Sequence, residues 1–571
     1  MNQDPERLQQ AGLACLRSGD LGLAESLLQQ VLLDRPDDVE VIYGLAEIGF
    51  HTGRPDLVIA MMRRCIALDP DDGGSYHNLG NALRSKGDHD EAIVALKAAI
   101  RLMPNPADAH NTMGLTVKDL GRTTEAVAAF HRAISFNPAM VIAHSNLLLF
   151  SNYQPDIGPA ELFAEHRRWS TAHEAPLRRG IGVHGNDRDP ERPLRIGYVS
   201  GDLRQHSVAY FLLPLLEHRD RDQVHVTAYS NCVVTDEVSG RIQRSVDGWC
   251  SVAGASDEQV AAQIRADGID ILVDLSGHTA DHRLLVFARK PAPVQIAWVG
   301  YPGTTGLDAM DYRCSDPWAD PVDEPRPSSE KVLLLPHTTW CYVPLSGSPG
   351  VAALPVLSNP GITFGSFNNF VKISSATLDM WAQILRQAPG SRLVLKNVAM
   401  RSPAAMARAR RQFVDRGIAD DQVELLSPDE SLLDHLTQYN RIDISLDAFP
   451  YHGTTTTCEA LWMGVPSITL AGPNHASRPG VSLLSNVGLG DLIATTPDEY
   501  VETAVRLAGD LPRLADIRAG LRQRMLDSPL MDGPSFARDM EACYRQAWRT
   551  WCARFGSSEP QAVPSLRPVT R

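Results

Sequence analysis

Over the first quarter of the chain, apolar residues recur at helical spacing, and the pattern as a whole returns every 34 residues. Pro36, Pro70, Pro104 and Pro138 fall in one register, and Gly19, Gly53, Gly87 and Gly121 in a second. A third column reads Gly12, Ala46, Gly80, Gly114, and a fourth reads Leu28, Met62, Leu96, Phe130. Such a repeat predicts stacked pairs of antiparallel helices. Small residues sit where the two helices of a pair touch, the second glycine column turns the chain, and proline closes each unit because it cannot continue a helix. Four columns in phase argue against four unrelated helical hairpins.

The period and residue types are those of the tetratricopeptide repeat, which we assign to residues 1–140. Val141 opens a fifth unit, with Asn146 in the column of Asn78, but the pattern breaks at Tyr153-Gln154-Pro155. We read residues 141–193 as a capping repeat followed by an Arg-, Gly-, Asp- and Pro-rich connector. From Leu194 the periodicity changes to alternating strands and helices. Strands are predicted at 194–200, 224–229, 269–275 and 294–299, with an amphipathic helix over 258–266. Residues 343–360, dense in Pro, Gly and Ser, form a second connector, after which the pattern restarts. Strands at 362–367, 392–395, 423–426, 442–446 and 467–470 alternate with helices over 375–387, 404–416 and 432–439. The predicted fold is thus an α-solenoid followed by two Rossmann-like α/β lobes, 194–342 and 361–533. A helix over 534–555 packs back on the first lobe, and a disordered tail covers 556–571. Two doubly wound units joined by a short hinge imply a cleft, with ligands at the carboxyl ends of the strands.

Charge and composition narrow the function. A net charge of -14 over 571 residues disfavours a general nucleic-acid binder. Nine cysteines show no C-x-x-C pair or His/Cys ligand spacing, which argues against a zinc site or a disulfide framework. The polar N-terminus and the lack of a long apolar run predict a cytoplasmic protein with no membrane segment. A stacked array offers a concave surface for an extended polypeptide, and a homodimer through the repeats is the competing use of that surface.

The candidate chemistry centres on residues 450–466. An apolar strand runs through Pro and Gly into four threonines and then a helix. The first N–H groups of a helix lack intrahelical partners and carry the positive end of its dipole, a ready phosphate site. Thr454, Thr455 and Thr456 add hydroxyl donors, Gly453 allows close approach, and Glu459 is a turn and a half further on, suited to ribose hydroxyls. A Thr-capped buried helix is the alternative reading. After the first strand of the first lobe, Asp202 and His206 are placed to reach a reacting group. His278, and the Gly300-Tyr301-Pro302 turn with backbone N–H groups to present to a sugar or phosphate, follow later strands of that lobe, so Gly300, Pro302 and His278 are read as UDP-sugar contacts. In the second lobe Lys372 follows the first strand, where an ammonium would neutralise a departing diphosphate, and His435 can stack on a base or lie on a helix surface.

The repeats, Leu194-Arg-Ile-Gly-Tyr-Val-Ser-Gly-Asp202, Trp298-Val-Gly-Tyr-Pro-Gly-Thr304, Ser366-Phe-Asn-Asn-Phe-Val-Lys-Ile373 and Gly453-Thr-Thr-Thr456 together resemble the O-linked N-acetylglucosaminyltransferase family. The resemblance runs from the repeats to about residue 550 and implies a GT-B fold holding the sugar nucleotide mainly on its second lobe. It implies transfer of GlcNAc from UDP-GlcNAc to Ser or Thr hydroxyls of polypeptides, with inversion and without a required metal or other cofactor. On that resemblance His206 matches the active-site histidine and Asp202 a nearby aspartate discussed in proton removal. Lys372 matches the lysine that stabilises the leaving diphosphate, and Asn369 stands where animal enzymes carry a phosphate-contacting glutamine. His435 matches the uracil-packing histidine, Thr455 and Thr456 the helix-terminal phosphate binders, and Glu459 replaces the ribose-binding aspartate. The chain departs from the animal pattern in carrying Thr454 for a histidine, in lacking the domain inserted between the lobes, and in its short array, which suggests a bacterial-type homologue. A donor such as GDP-fucose, and a nucleotide-binding repeat scaffold without catalysis, are the competing functions.

Overall fold

The computed structural model describes residues 4–359 and 361–554; the tail read at 556–571 lies outside the described residues. Two compact units result. One holds the chain up to Glu165 with Pro349–Gly480 and Asp491–Ala519; the other holds His166–Ser348, Val481–Gly490 and the chain from Gly520 on.

The first unit begins with the helix pairs Pro5–Ser18/Leu21–Asp34, Val39–His51/Pro55–Leu68, Gly73–Lys86/His89–Leu102 and Ala107–Asp119/Thr123–Phe136. The two small-and-large columns of the sequence meet within each pair. A Cβ on Gly80 would lie 2.6 Å from Leu96, and one on Gly114 would lie 2.5 Å from Phe130, so only glycine lets these helices approach. The turn column, Gly19, Gly53, Gly87 and Gly121, has positive φ throughout. Helices Val141–Ser151 and Pro159–Trp169 follow, and the chain continues through a π-helical turn at Ser170–Glu174.

The same unit carries a six-stranded parallel sheet. We number its strands after the seven of the other unit, as β8 (Thr363–Ser366), β9 (Arg392–Lys396), β10 (Val423–Leu426), β11 (Ile444–Leu446), β12 (Ser467–Leu470) and β13 (Ile493–Ala494). Their order is β10-β9-β8-β11-β12-β13. The second unit holds β1 (Leu194–Ser200), β2 (Val224–Ser230), β3 (Gly248–Ser251), β4 (Ile271–Asp274), β5 (Val294–Ala297), β6 (Tyr312–Ser315) and β7 (Lys331–Leu334), in the order β3-β2-β1-β4-β5-β6-β7. All pairings are parallel, and central strands such as β4 and β8 are buried along their whole length, as a sheet covered on both faces requires. Helix Gly533–Ala553 packs on Ser207–His218 and buries Phe536, Met540, Tyr544 and Trp548 in the core of the second unit. Each of these stabilises by about 1.5–3 kcal/mol.

The strands predicted from sequence appear with ends within about two residues of those expected. The strand expected to reach Val299 stops at Ala297, because Val299 adopts φ +64°, a left-handed conformation no strand residue takes. Strands β3, β6, β7 and β13, two to four residues long, were not anticipated.

Candidate active site

In the first unit, β11 ends at Leu446 and the chain turns through 447–453 into helix Thr455–Trp462. Asp447 holds this turn from beneath. Its buried carboxylate accepts the Gly453 N–H at 2.8 Å, the Ala448 N–H at 2.9 Å and the Thr469 hydroxyl at 3.0 Å. His452 is fully buried beside it. Its Nε2–H donates to the Leu470 carbonyl at 2.9 Å, so the remaining nitrogen, Nδ1, accepts the Gly480 N–H at 3.2 Å. Burial pushes its pKa down, which matches this neutral tautomer. Above it, Gly453 is hemmed in. A Cβ there would lie 2.3 Å from Thr456 Oγ1 and 2.6 Å from Asn368 Oδ1. The Thr456 hydroxyl donates to Asn368 Oδ1 at 2.9 Å, and Thr457 donates back to the Gly453 carbonyl at 3.0 Å. Thr454 and Thr455 are half-buried at the helix start, where N–H groups have no intrahelical acceptor.

Lys372 ends a short 3-10 turn, Phe370–Lys372, that follows β8. Its Nζ donates to the His452 carbonyl at 3.0 Å and lies 4.4 Å from the centroid of the Tyr451 ring. Burial pulls its pKa down to about 8, opposed by the charge of Asp447. The ammonium therefore sits one residue from Gly453, where the turn into helix Thr455–Trp462 begins. Asn369 is exposed and caps the same turn, accepting the Val371 N–H at 3.3 Å. Its neighbour Asn368 is the asparagine tied to the Gly453 loop.

His435 and Glu459 belong to one polar chain. Lys396 donates to His435 Nδ1 at 2.7 Å and also pairs with Asp429. With Nδ1 accepting, the proton resides on Nε2, which donates to Glu459 Oε2 at 3.0 Å. The Tyr439 hydroxyl lies 3.1 Å from the same carboxylate oxygen. Phe367 backs the group, 5.9 Å from the His435 ring and 4.5 Å from that of Tyr439. Both ring edges of His435 are thus engaged, and its orientation is fixed by side chains from three elements.

In the second unit, the loop after β1 carries Asp202 and His206. His206 caps helix Ser207–His218 by accepting the Val208 N–H on Nδ1 at 3.3 Å, and the same nitrogen is 3.6 Å from the Asp202 carboxylate. Arg204 approaches that carboxylate at 3.6 Å. Burial raises the pKa of Asp202 and lowers that of His206, each opposed by the other's charge. Two arrangements compete for Nδ1: as acceptor it caps the helix and leaves the proton on Nε2, and as donor it faces Asp202 and frees the Nε2 lone pair.

The other positions read from sequence in this unit lock loops together. A Cβ on Gly300 would lie 1.8 Å from the Leu275 carbonyl oxygen, and one on Gly277 would lie 2.2 Å from Tyr301 Cβ. His278 is buried, its Nε2–H on the Thr305 carbonyl at 2.8 Å, with the rings of Trp169 and Tyr301 at 5.1 and 5.2 Å. Pro302 is half-buried in the same loop. The structure therefore gathers Gly453 to Thr456 with Lys372, joins His435 to Glu459, and pairs Asp202 with His206. Asp447, His452, Asn368, Lys396 and Tyr439 were missed. Asp447 had a signal, since it stands at the carboxyl end of a strand; the others have none outside three dimensions. Among the described residues, no group of three or more His, Cys, Asp or Glu side chains is placed to hold a metal ion.

The chain matches glycosyl transferase family 41 over residues 170–342 and 353–540. It matches tetratricopeptide repeat families over 16–83, 80–121 and 107–140. A probable UDP-N-acetylglucosamine–peptide N-acetylglucosaminyltransferase of Arabidopsis thaliana, SPINDLY, is 42% identical over 74% of this chain and 46% of its own length. A second from that plant, SEC, is 32% identical over 63% of this chain and 38% of its own length. The chain spans about half the length of the curated relatives it matches, or less. Among solved structures, a mutant of the Thermobaculum terrenum O-GlcNAc transferase superposes with a TM-score of 0.83 at 35% identity, covering 90% of this chain and 98% of that one.

Proposed function

This chain belongs to glycosyl transferase family 41, and on that premise we propose that it moves GlcNAc from UDP-GlcNAc to a Ser or Thr hydroxyl of a polypeptide lying along the repeats. The observation that carries the proposal is the meeting of Lys372 with the helix terminus at Gly453 to Thr456, through the His452 carbonyl at 3.0 Å. A cation and a set of orphan N–H groups side by side suit a diphosphate that gains charge as its bond to the sugar breaks.

The proposed reaction inverts the anomeric carbon. The acceptor oxygen attacks C1 from the face opposite UDP, the C1–O bond breaks, and its electron pair stays on the β-phosphate oxygen. Lys372 and the N–H groups of the 454–456 turn stabilise that charge; their pinning by Asp447 and Asn368 means little reorganisation is needed. Glu459, oriented by His435 and Tyr439, is assigned to the ribose, with His435 and Phe367 beside the base. Asn369 is assigned a phosphate contact. The loop of Gly300, Pro302 and His278 is assigned to shaping the site. Three groups compete for the acceptor proton: His206, Asp202 and a donor phosphate oxygen. The positive charge comes from the chain itself, so EDTA is expected to leave turnover unchanged. We also assign the protein to the cytoplasm.

A thermal-shift panel of UDP, GDP and their sugars tests the donor, since a ligand at 100 times its dissociation constant stabilises by about 2.7 kcal/mol. A shift with UDP-GlcNAc, followed by transfer of labelled GlcNAc to a peptide library, is the expected result. A shift with GDP-fucose alone would move the donor assignment, and nucleotide binding with no transfer to any peptide would leave a scaffold.

A further inference from the structure

Lys372 lies at the end of a continuous run of aromatic rings that starts inside the helical repeats. Within the first unit, Phe130 on the fourth repeat stacks on Phe150 at 5.7 Å, and Phe150 meets Tyr153 at 5.4 Å. Tyr153 meets Tyr451 at 4.6 Å, and Tyr451 lies under the Lys372 ammonium at 4.4 Å. Val371 and Tyr451 pack on the apolar cluster formed by the last repeats, so the contact is part of a core. The break at Tyr153-Gln154-Pro155 therefore has a use: it ends one helix at Ser151 and delivers a tyrosine to the loop that carries the phosphate site.

We propose that Tyr153 is a positioning residue for Lys372, and that the end of the repeat array forms one wall of the donor site by packing Tyr451 beneath the ammonium. The proposal rests on the role given to Lys372 above. Two physical effects follow. The Tyr451 ring face attracts the cation and fixes where it points. The rings of Tyr451 and Tyr153 together exclude water from it, which favours the neutral amine. The groups facing Lys372 are Asp447, the neutral His452 and the Tyr451 phenol; Lys118 is further along the run, 5.5 Å from the Phe150 centroid. The charge of Asp447 opposes the loss of the proton, burial outweighs it, and the net result is the pKa of about 8. The array thereby sets the charge state of the group that receives the diphosphate.

The test reads Lys372 directly. Trace acetic anhydride labelling of the full chain without substrate, followed by peptide mass spectrometry across pH, gives the midpoint of Lys372. Tyr153→Ala is expected to raise that midpoint by one unit or more as water reaches the Tyr451 ring, and Tyr153→Phe to leave it in place. In UDP-GlcNAc hydrolysis, which needs no polypeptide, Tyr153→Ala is expected to lower kcat about tenfold with a smaller change in KM. Tyr153→Leu, which keeps the site apolar, substitutes if the alanine variant does not fold, and its midpoint should rise by less. An unchanged midpoint in folded variants would overturn the proposal. A shifted midpoint in a protein whose wild type transfers no sugar would instead overturn the assigned function and leave this contact standing.

Discussion

The order β10-β9-β8-β11-β12-β13 repeats, strand for strand, the order β3-β2-β1-β4-β5-β6 of the other unit. The loops at the carboxyl ends of the two sheets nevertheless hold different chemistry. After β11 the chain offers main-chain N–H groups, pinned by a buried Asp447, with a lysine held on the adjoining carbonyl. After β1 it offers a titratable pair, Asp202 and His206, in which each side chain moves the other's pKa. The first arrangement suits the stabilisation of charge that develops elsewhere, and the second suits the transfer of a proton. One scaffold thus supports both tasks because the sheet fixes only where loops begin, and residues a few positions later decide what the loops do.

If the β11 side is the charge-stabilising half, its lysine should dominate. Lys372→Ala is expected to lower kcat by about 100-fold or more, the scale of losing one oxyanion donor. The wild-type pH profile should carry the same signature. Lys372 is cationic below its pKa of about 8, so kcat/KM is expected to fall as pH rises through that value and the limb to vanish in Lys372→Ala. Steady-state kinetics with labelled donor checks both. An alanine variant within threefold of wild type would break the comparison at its first term.

A smaller loss should follow from moving the backbone rather than the cation. In Gly453→Ala the new methyl would meet Thr456 Oγ1 and Asn368 Oδ1 at 2.3 and 2.6 Å, so the turn must shift and its N–H groups lose their aim. UDP affinity is expected to fall about 30-fold, or about 2 kcal/mol, by titration calorimetry. The His206 ring, monitored by NMR, should titrate as before.

The contrast between the halves also explains what could be read in the chain. The repeats were legible because four columns each report one contact or turn, and Gly114 against Phe130 recurs as Gly80 against Leu96. The sheets were legible where strands carry an unbroken apolar run, as at 271–273 in β4 and 393–395 in β9, and illegible at β13, two residues long. The 453–456 turn could be read as a turn into a helix because its residues are consecutive in sequence. Its supports could not: Asn368 lies 88 residues from Thr456, and Lys396 lies 39 from His435. His278 and Gly300 show what sequence leaves out: only in three dimensions does Gly300 lie against the Leu275 carbonyl and His278 on that of Thr305.

The finest test concerns the proton. For His206 to accept one, its Nε2 lone pair must be free, which requires the ring's own proton on Nδ1. At Nδ1 the Val208 N–H and the Asp202 carboxylate compete, and only the carboxylate favours a proton there. Asp202→Asn removes that preference along with the charge that supports protonation. Turnover near neutrality is expected to fall about tenfold, the equivalent of one pKa unit. The acid limb should meanwhile move to lower pH, because a ring without the carboxylate gains its proton less readily and stays neutral further down. UDP affinity should not change. A variant with unaltered rate and limb would assign the acceptor proton to a donor phosphate oxygen, and the first unit would then carry the charge and the proton together.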